Sequence, residues 1–319
     1  MCFETDLRRF GPSARETLAR GDALDYCARL TASHYENFSV VTWLTPREHR
    51  PAFQAIYAFC RWSDDLGDET GDPARARDLL AWWRGELDDL YEGRARHPVM
   101  VALRETVERY AIPARPFQDL IDAFVQDQEV VDYQTFDQLL DYCARSANPV
   151  GRLVLYVAGA CDEANARLSD RTCAALQLAN FWQDVARDLD IGRIYLPRED
   201  RDRFGVAEAD LRARRFTPEF ADLLRFEVER TRAMFAAGRP LVGRVPPAFA
   251  VDVDLFSRGG LAILDLIEAR GYDVLTARPS LGKAAKARLL ARALLGMARA
   301  RWPRRRQAVP RPEPAEARP

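Results

Sequence analysis

Two carboxylate clusters carry the chemistry this sequence is equipped to do. The first, Asp64-Asp65-Leu66-Gly67-Asp68-Glu69, closes a helical stretch over 47–66 that opens at Pro46. The second, Asp184-Val185-Ala186-Arg187-Asp188-Leu189-Asp190, closes one over 169–189. In each, two aspartates stand four residues apart, so on a helix their side chains share a face, with Cβ atoms about 5–6 Å apart. At an effective dielectric near 20, two such charges repel by roughly 3 kcal/mol. Both clusters also sit at helix C-termini, where the macrodipole disfavours negative charge. Arg61 and Arg187 answer part of this charge if the clusters are merely solvated helix ends. Because the same costly arrangement occurs twice, a cation is the more economical explanation. Mg²⁺ is the candidate, since it takes oxygen ligands, often one or two carboxylates with substrate phosphate. Asp64, Asp68, Asp184 and Asp188 are the expected metal ligands.

The residues leading into each cluster extend the pattern. Tyr57, Arg61, Asp64 and Asp68 form one helical stripe, and Gln177, Asn180, Asp184 and Asp188 another. A stripe that stays polar for three turns, while Leu176, Leu178 and Phe181 face elsewhere, is expected to line a cavity. The inference is two helices facing each other across a pocket with carboxylates at its mouth. Metal there would bind a diphosphate and assist its departure by neutralising charge. Phe38, Phe53, Tyr57 and the apolar run 153–158 are expected to supply a hydrocarbon-accepting interior.

The rest of the chain must position these residues. Of 319 residues, 48% are apolar, and 47 basic against 48 acidic side chains leave a net charge of −1. That balance argues against a nucleic-acid partner, whose footprint is usually strongly basic. No apolar run approaches the ~20 residues that span a bilayer, and the N-terminus lacks a signal-like apolar core. The expectation is a cytoplasmic protein. Six cysteines with no CxxC pair are expected to be small buried hydrophobes, and the three histidines form no ExxH pair of a ferritin-type site.

Helical periodicity recurs over roughly 22–33, 73–92, 97–110, 114–130, 135–160, 217–237, 247–270 and 283–301. Turn signals such as Thr70-Gly71-Asp72-Pro73, Asn148-Pro149 and Val245-Pro246-Pro247 punctuate it. Ser169 and Thr217 have the types and positions of N-caps. With no alternating β-branched runs and no repeat, the fold class is all-α: one helical domain over 1–302. The last 17 residues, 303–319, hold five prolines and five arginines and are expected to be a disordered tail. The preceding 283–302 segment is basic and amphipathic. It is expected to pack as a surface helix, and its alternative role is peripheral docking on the inner face of an anionic membrane.

On these residues the chain resembles the squalene/phytoene synthase family of head-to-head prenyl synthases. AIYAFCRWSDDLGDE is similar to the family's first aspartate motif, and LQLANFWQDVARDLDIGRIYLPRED to its longer second signature. The resemblance covers about residues 25–290. It implies an α-helical isoprenoid-synthase fold around a central apolar cavity and Mg²⁺-dependent ionisation of prenyl diphosphates. It assigns both aspartate pairs to metal. His34, Asn37, Arg61, Arg193, Tyr195 and Arg278 fall to the substrate diphosphate, with Lys283 as a further basic position. Tyr57, Gln177 and Asn180 become the catalytic groups that orient the cation or an attacking water. HYENFSV and YCARSANPVGRLVLYVAG look most like bacterial hydroxysqualene synthases, which convert presqualene diphosphate and water to hydroxysqualene and diphosphate without nicotinamide. Squalene synthases carry a YxVAG-like tyrosine in this region, where YCARSANPVG has Arg145. The alternatives are presqualene diphosphate or squalene synthesis from farnesyl diphosphate, phytoene synthesis, and a catalytically silent lipid-binding relative.

Overall fold

The computed structural model describes residues 3–14, 16–33, 45–282, 288–291 and 293. Helices α1 (Phe3–Phe10) and α2 (Arg20–Ser33) precede a 3₁₀ turn, Arg47–His49, that leads into α3 (Arg50–Asp68). Next come α4 (Pro73–Tyr91), α5 (Pro98–Tyr110), α6 (Arg115–Gln126), α7 (Phe136–Ser146) and α8 (Asn148–Val157). The long α9 (Glu163–Asp190) is succeeded by α10 (Arg198–Phe204), α11 (Glu208–Arg212), α12 (Pro218–Gly238) and α13 (Pro247–Ala269). Residues 288–291 are helical as well, while His34, Asn37, Phe38, Lys283 and the 303–319 tail lie outside the described residues. The all-α expectation holds: among the described residues the one β-like pairing is an isolated bridge between Asp132 and Ile194.

Local chemistry explains most boundaries. Thr217 caps α12 as expected, its hydroxyl accepting from the Phe220 amide at 3.2 Å. Ser169 does not cap α9. The helix begins six residues earlier, where the Asp162 carboxylate accepts from the Asn165 amide at 2.7 Å, and Ser169 is buried mid-helix. The 135–160 stretch divides into α7 and α8 at Ala147, just before Asn148-Pro149. Proline lacks the amide a continuous helix would need and restricts the residue before it, so this dipeptide prevails over the surrounding periodicity.

Two apolar clusters form the interior. One gathers α1 to α6, α8 and the start of α13; the other gathers α7, α9, α12, the end of α13 and the 194–196 loop. In the first, Trp62 stacks on Trp83 with ring centroids 5.6 Å apart, and Trp83 on Phe59 at 5.4 Å. The indole of Trp83 donates to Ser63 Oγ and that of Trp62 to the Tyr26 hydroxyl, both at 2.9 Å. Directional bonds at adjacent positions fix the rotation of α3 about its axis. The opposite stripe, Tyr57 to Asp68, is thereby turned away from the aromatic core. Of the described cysteines, Cys27 and Cys143 are buried and Cys60, Cys161 and Cys173 partly so, all with free thiols.

His97 closes this aromatic layer, edge-on to Trp62 at 4.5 Å and to Trp83 at 4.7 Å. Its Nδ1 accepts from the Val99 amide at 3.2 Å as the N-cap of α5, and its Nε2 has no partner. Burial pushes the imidazole down to about 3 from 6.5. The folded value is depressed, so the stabilising contribution of the neutral ring is complete above pH 6.5 and is lost as pH falls toward 3. Wild-type stability should therefore drop faster than that of His97→Asn across this window, by up to ~1.4 kcal/mol per pH unit. Asparagine keeps the capping acceptor but does not titrate. Urea melts at stepped pH measure the difference, and parallel pH profiles would contradict it.

Candidate active site

The two aspartate stripes lie where the sequence places them, on the last turns of α3 and α9. Both helices contact α8. The segment after α9 runs from its acidic end to that of α3. Gly192, with φ 80°, supports the left-handed turn that starts this run. Ile194 then donates its amide to the Val131 carbonyl at 2.7 Å, and Arg198 donates its own to Tyr133 at 2.9 Å. Arg201, buried beneath the loop, holds the Leu196 carbonyl with Nε at 3.0 Å. Thus pinned, Arg193 reaches Asp68 at the end of α3, at 3.4 Å, and the Asp127 carbonyl at 3.2 Å.

Every arginine expected to grip diphosphate is paired with a carboxylate. Arg61 bonds Asp64 at 3.1 Å and also pairs with Asp65. Arg193 pairs with Asp68, and the fork of Arg278 engages both oxygens of Asp184, its Nη2 at 3.0 Å. Gln183, nearly buried on α9, donates to the Pro279 carbonyl and so draws the Arg278 segment onto the helix. Asp188 has no ion pair among the described residues. Burial and the neighbouring Asp184 raise its carboxyl to about 7, against the pull of Arg193. Burial and Asp68 raise Asp64 to about 6, with Arg61 opposing.

Asp127 belongs to this assembly and was missed by sequence reasoning. It comes directly after α6, is 9% exposed, and accepts the Tyr142 hydroxyl on Oδ2 at 2.8 Å, while its buried Oδ1 has no partner. Burial raises its carboxyl to about 7, and Asp64 and Asp68 add to the rise. The signal was available: Asp127-Gln128-Glu129 is a third acidic run closing an amphipathic helix.

Tyr195 follows on the same loop. It is stacked on Phe181, centroids 3.8 Å apart and nearly parallel, beside Tyr133 and Tyr142, and is only 8% exposed. Its ring anchors the loop in the second core. Tyr57 is half-buried on the α3 stripe, and burial raises its phenol.

The apolar cavity also differs from expectation. Phe53 is buried against Phe249 in the first core and Tyr57 does not line the cavity. Its walls are α8 and α9, with Val253 and Phe256 of α13 closing it, and its volume is about 200 Å³. Val154 and Leu155 line it as foreseen. On α9 the lining runs Ser169, Thr172, Cys173, Leu176, Gln177 and Asn180, so Leu176 shares the polar stripe's face. One turn beyond Asn180 stands Asp184. α8 comes close to α9 because Gly151 has no side chain: a Cβ there would collide with Ser169 Oγ and Cys173 Sγ.

The site can accept a ligand with a strongly anionic head and an apolar body. Among the described residues no three His, Cys, Asp or Glu side chains gather tightly enough to hold an ion alone. The crowded, oxygen-only donors nonetheless suit Mg²⁺, which completes its shell with phosphate and water. Asp64, Asp68, Asp184 and Asp188 could hold it.

A helical fold with paired acidic helix ends beside an apolar cavity is that of enzymes that use prenyl diphosphates. The sequence model of the squalene/phytoene synthase family matches residues 31–306, and the chain belongs to that family. It is 31% identical over 280 residues to phytoene synthase of Arthrospira platensis, covering 84% of this chain and 91% of that one. A squalene synthase, HpnC, from Alicyclobacillus acidocaldarius is 46% identical, with a TM-score of 0.76 over 80% of this chain and 96% of that chain. A dehydrosqualene synthase crystallised with a ligand, at 22% identity, shares the fold with a TM-score of 0.77 over 88% of this chain and 98% of its own. Among the described residues no helix is long and apolar enough to cross a membrane.

If Arg193 is the tie between the acidic ends, Arg193→Met should lower ligand-free stability by roughly 2 kcal/mol, since charged hydrogen bonds are lost and nearby carboxylates left unanswered. Urea unfolding measures this. An unchanged midpoint would mean the loop alone holds the ends together.

Proposed function

We propose that this protein converts presqualene diphosphate and water to hydroxysqualene and diphosphate, in the squalene branch of isoprenoid biosynthesis leading to hopanoids. The observation that carries the reading is the pair of acidic helix ends, tied by Arg193, at the head of the α8–α9 cavity. The 46% identity to a squalene synthase supports a C30 product over the C40 product of the phytoene synthases.

In this reading Arg61, Arg193 and Arg278 leave their carboxylate partners for the diphosphate oxygens. Mg²⁺ held by Asp64, Asp68, Asp184 and Asp188 would supply charge neutralisation for the leaving group. Gln177 and Asn180 orient the hydrocarbon or a water by their amides, while the apolar walls keep bulk water from the cation. His34 and Asn37 are assigned to the diphosphate on the family resemblance. Nothing in the scheme calls for nicotinamide. Peripheral membrane docking through the basic 283–302 segment would suit so apolar a product.

The test is incubation with presqualene diphosphate and Mg²⁺ without NADPH, with products identified by mass spectrometry. A C30 alcohol and one equivalent of diphosphate are expected. Chelation of the metal should abolish turnover, and Asp184→Ala with Asp188→Ala should cut it by about a hundredfold or more. Diphosphate release without alcohol would overturn the water-quench reading. Activity only on farnesyl diphosphate, or on a C20 diphosphate, would redirect it to squalene or phytoene synthesis. Unaffected activity in the double variant would remove the carboxylates from the mechanism.

A further inference from the structure

The break between α7 and α8 leaves two polar atoms stranded, one on a residue of the cavity wall and the other two residues further along the chain. Ser146 Oγ and Asn148 Oδ1 are both shut off from solvent and neither has a hydrogen-bond partner. They are two residues apart around Ala147, where the backbone leaves one helix and enters the next. Ser146 and Ala147 line the cavity, opposite the face of α9 that carries Gln177 and Asn180. Buried hydroxyl and amide oxygens are normally satisfied, and an apolar-walled space offers them no partner except a small polar molecule. A water is such a molecule: it can donate to Asn148 Oδ1 and exchange a hydrogen bond with Ser146 Oγ.

We propose that Ser146, seconded by Asn148, holds the single water that enters the product. Ser146 is thereby a positioning residue that decides between alcohol and hydrocarbon. This rests on the hydroxysqualene reading above and adds to it the site from which the water attacks. The step balances without oxidant or reductant. The carbon–oxygen bond to diphosphate breaks with its electron pair leaving on the diphosphate oxygen. A lone pair of the held water forms the new carbon–oxygen bond at the cationic carbon, and the oxonium proton passes to the departed diphosphate. Where no water is held, the cation instead loses a proton from carbon to the same acceptor and leaves as a C30 hydrocarbon.

The experiment compares wild type, Ser146→Ala, Ser146→Val and Ser146→Thr on presqualene diphosphate with Mg²⁺ in ¹⁸O-water. It reads labelled C30 alcohol and C30 hydrocarbon per diphosphate released, so that a general loss of turnover cancels. The alanine and valine variants should lose alcohol share by about fivefold or more in favour of hydrocarbon, the size expected for one net hydrogen bond. The threonine variant, which keeps a hydroxyl, should retain the alcohol. Circular dichroism melts identify any variant that has not folded, and the alanine and threonine pair then carries the comparison. Alcohol from wild type with an equal share from alanine and threonine variants overturns the role of Ser146 and leaves the hydroxysqualene reading standing. No labelled alcohol from wild type overturns both.

Discussion

The site depends on carboxylates being kept close enough together to repel. Asp64 and Asp68 at the end of α3, Asp184 and Asp188 at the end of α9, and Asp127 after α6 all come from helix C-termini, where the backbone adds negative potential of its own. Burial first, and that crowding after it, raises the carboxyls of Asp64, Asp127 and Asp188. A chain would splay such ends apart unless something tied them. Arg193 spans from the α9 side to Asp68, Arg278 clasps Asp184, and Arg61 holds Asp64 and Asp65. The aromatic layer under α3 and the buried Arg201 beneath the loop give these arginines fixed points from which to act.

Packing decides where the apolar part of the site can be. α9 serves both purposes in one helix, with its last turns acidic and its middle turns along the cavity. Small residues on the α8–α9 contact, Gly151 against Ser169 and Cys173, hold the two walls close at one level. The same face therefore runs from hydroxyl and thiol groups, through Gln177 and Asn180, to Asp184. A ligand lying along it would meet progressively more polar surroundings toward its head.

Helical period makes the local arrangement legible in the sequence, whereas packing between helices leaves a much fainter trace. The DxxxD spacing, read as an i, i+4 pair, correctly puts each aspartate pair on one helix face, and the GRIYLP run points to the loop that bears Arg193. Both facts are local. Period carries no information about the partner across the cavity. A face of α3 and a face of α9 are equally polar on paper, yet it is α8 that lines the cavity with α9, because Asn148-Pro149 breaks the long helical stretch and redirects it. The packing of Tyr195 is hidden for the same reason: its polarity suggests a phosphate contact and says nothing of its ring, which joins an aromatic stack whose members are far apart in sequence. Asp127 is readable in principle, but the short run Asp127-Gln128-Glu129 lacks the DxxxD spacing that marks the other two clusters.

Pairing arginines with the very carboxylates assigned to metal has a thermodynamic consequence. Of these carboxylates Asp64, Asp68 and Asp184 are paired and, among the described residues, Asp188 is not, so the desolvated charges are only partly satisfied. A diphosphate that draws Arg61 and Arg278 away must leave Asp64 and Asp184 short of positive charge, and a cation that takes those carboxylates must free the same arginines. Each ligand removes a cost that the other would otherwise meet alone. Linkage then requires the two affinities to rise together by one common factor. On the proposed function, three arginine–carboxylate pairs would thus favour binding the anion and its counter-cation as a unit, and would disfavour a half-filled site in which a reactive cation could form without its leaving group held.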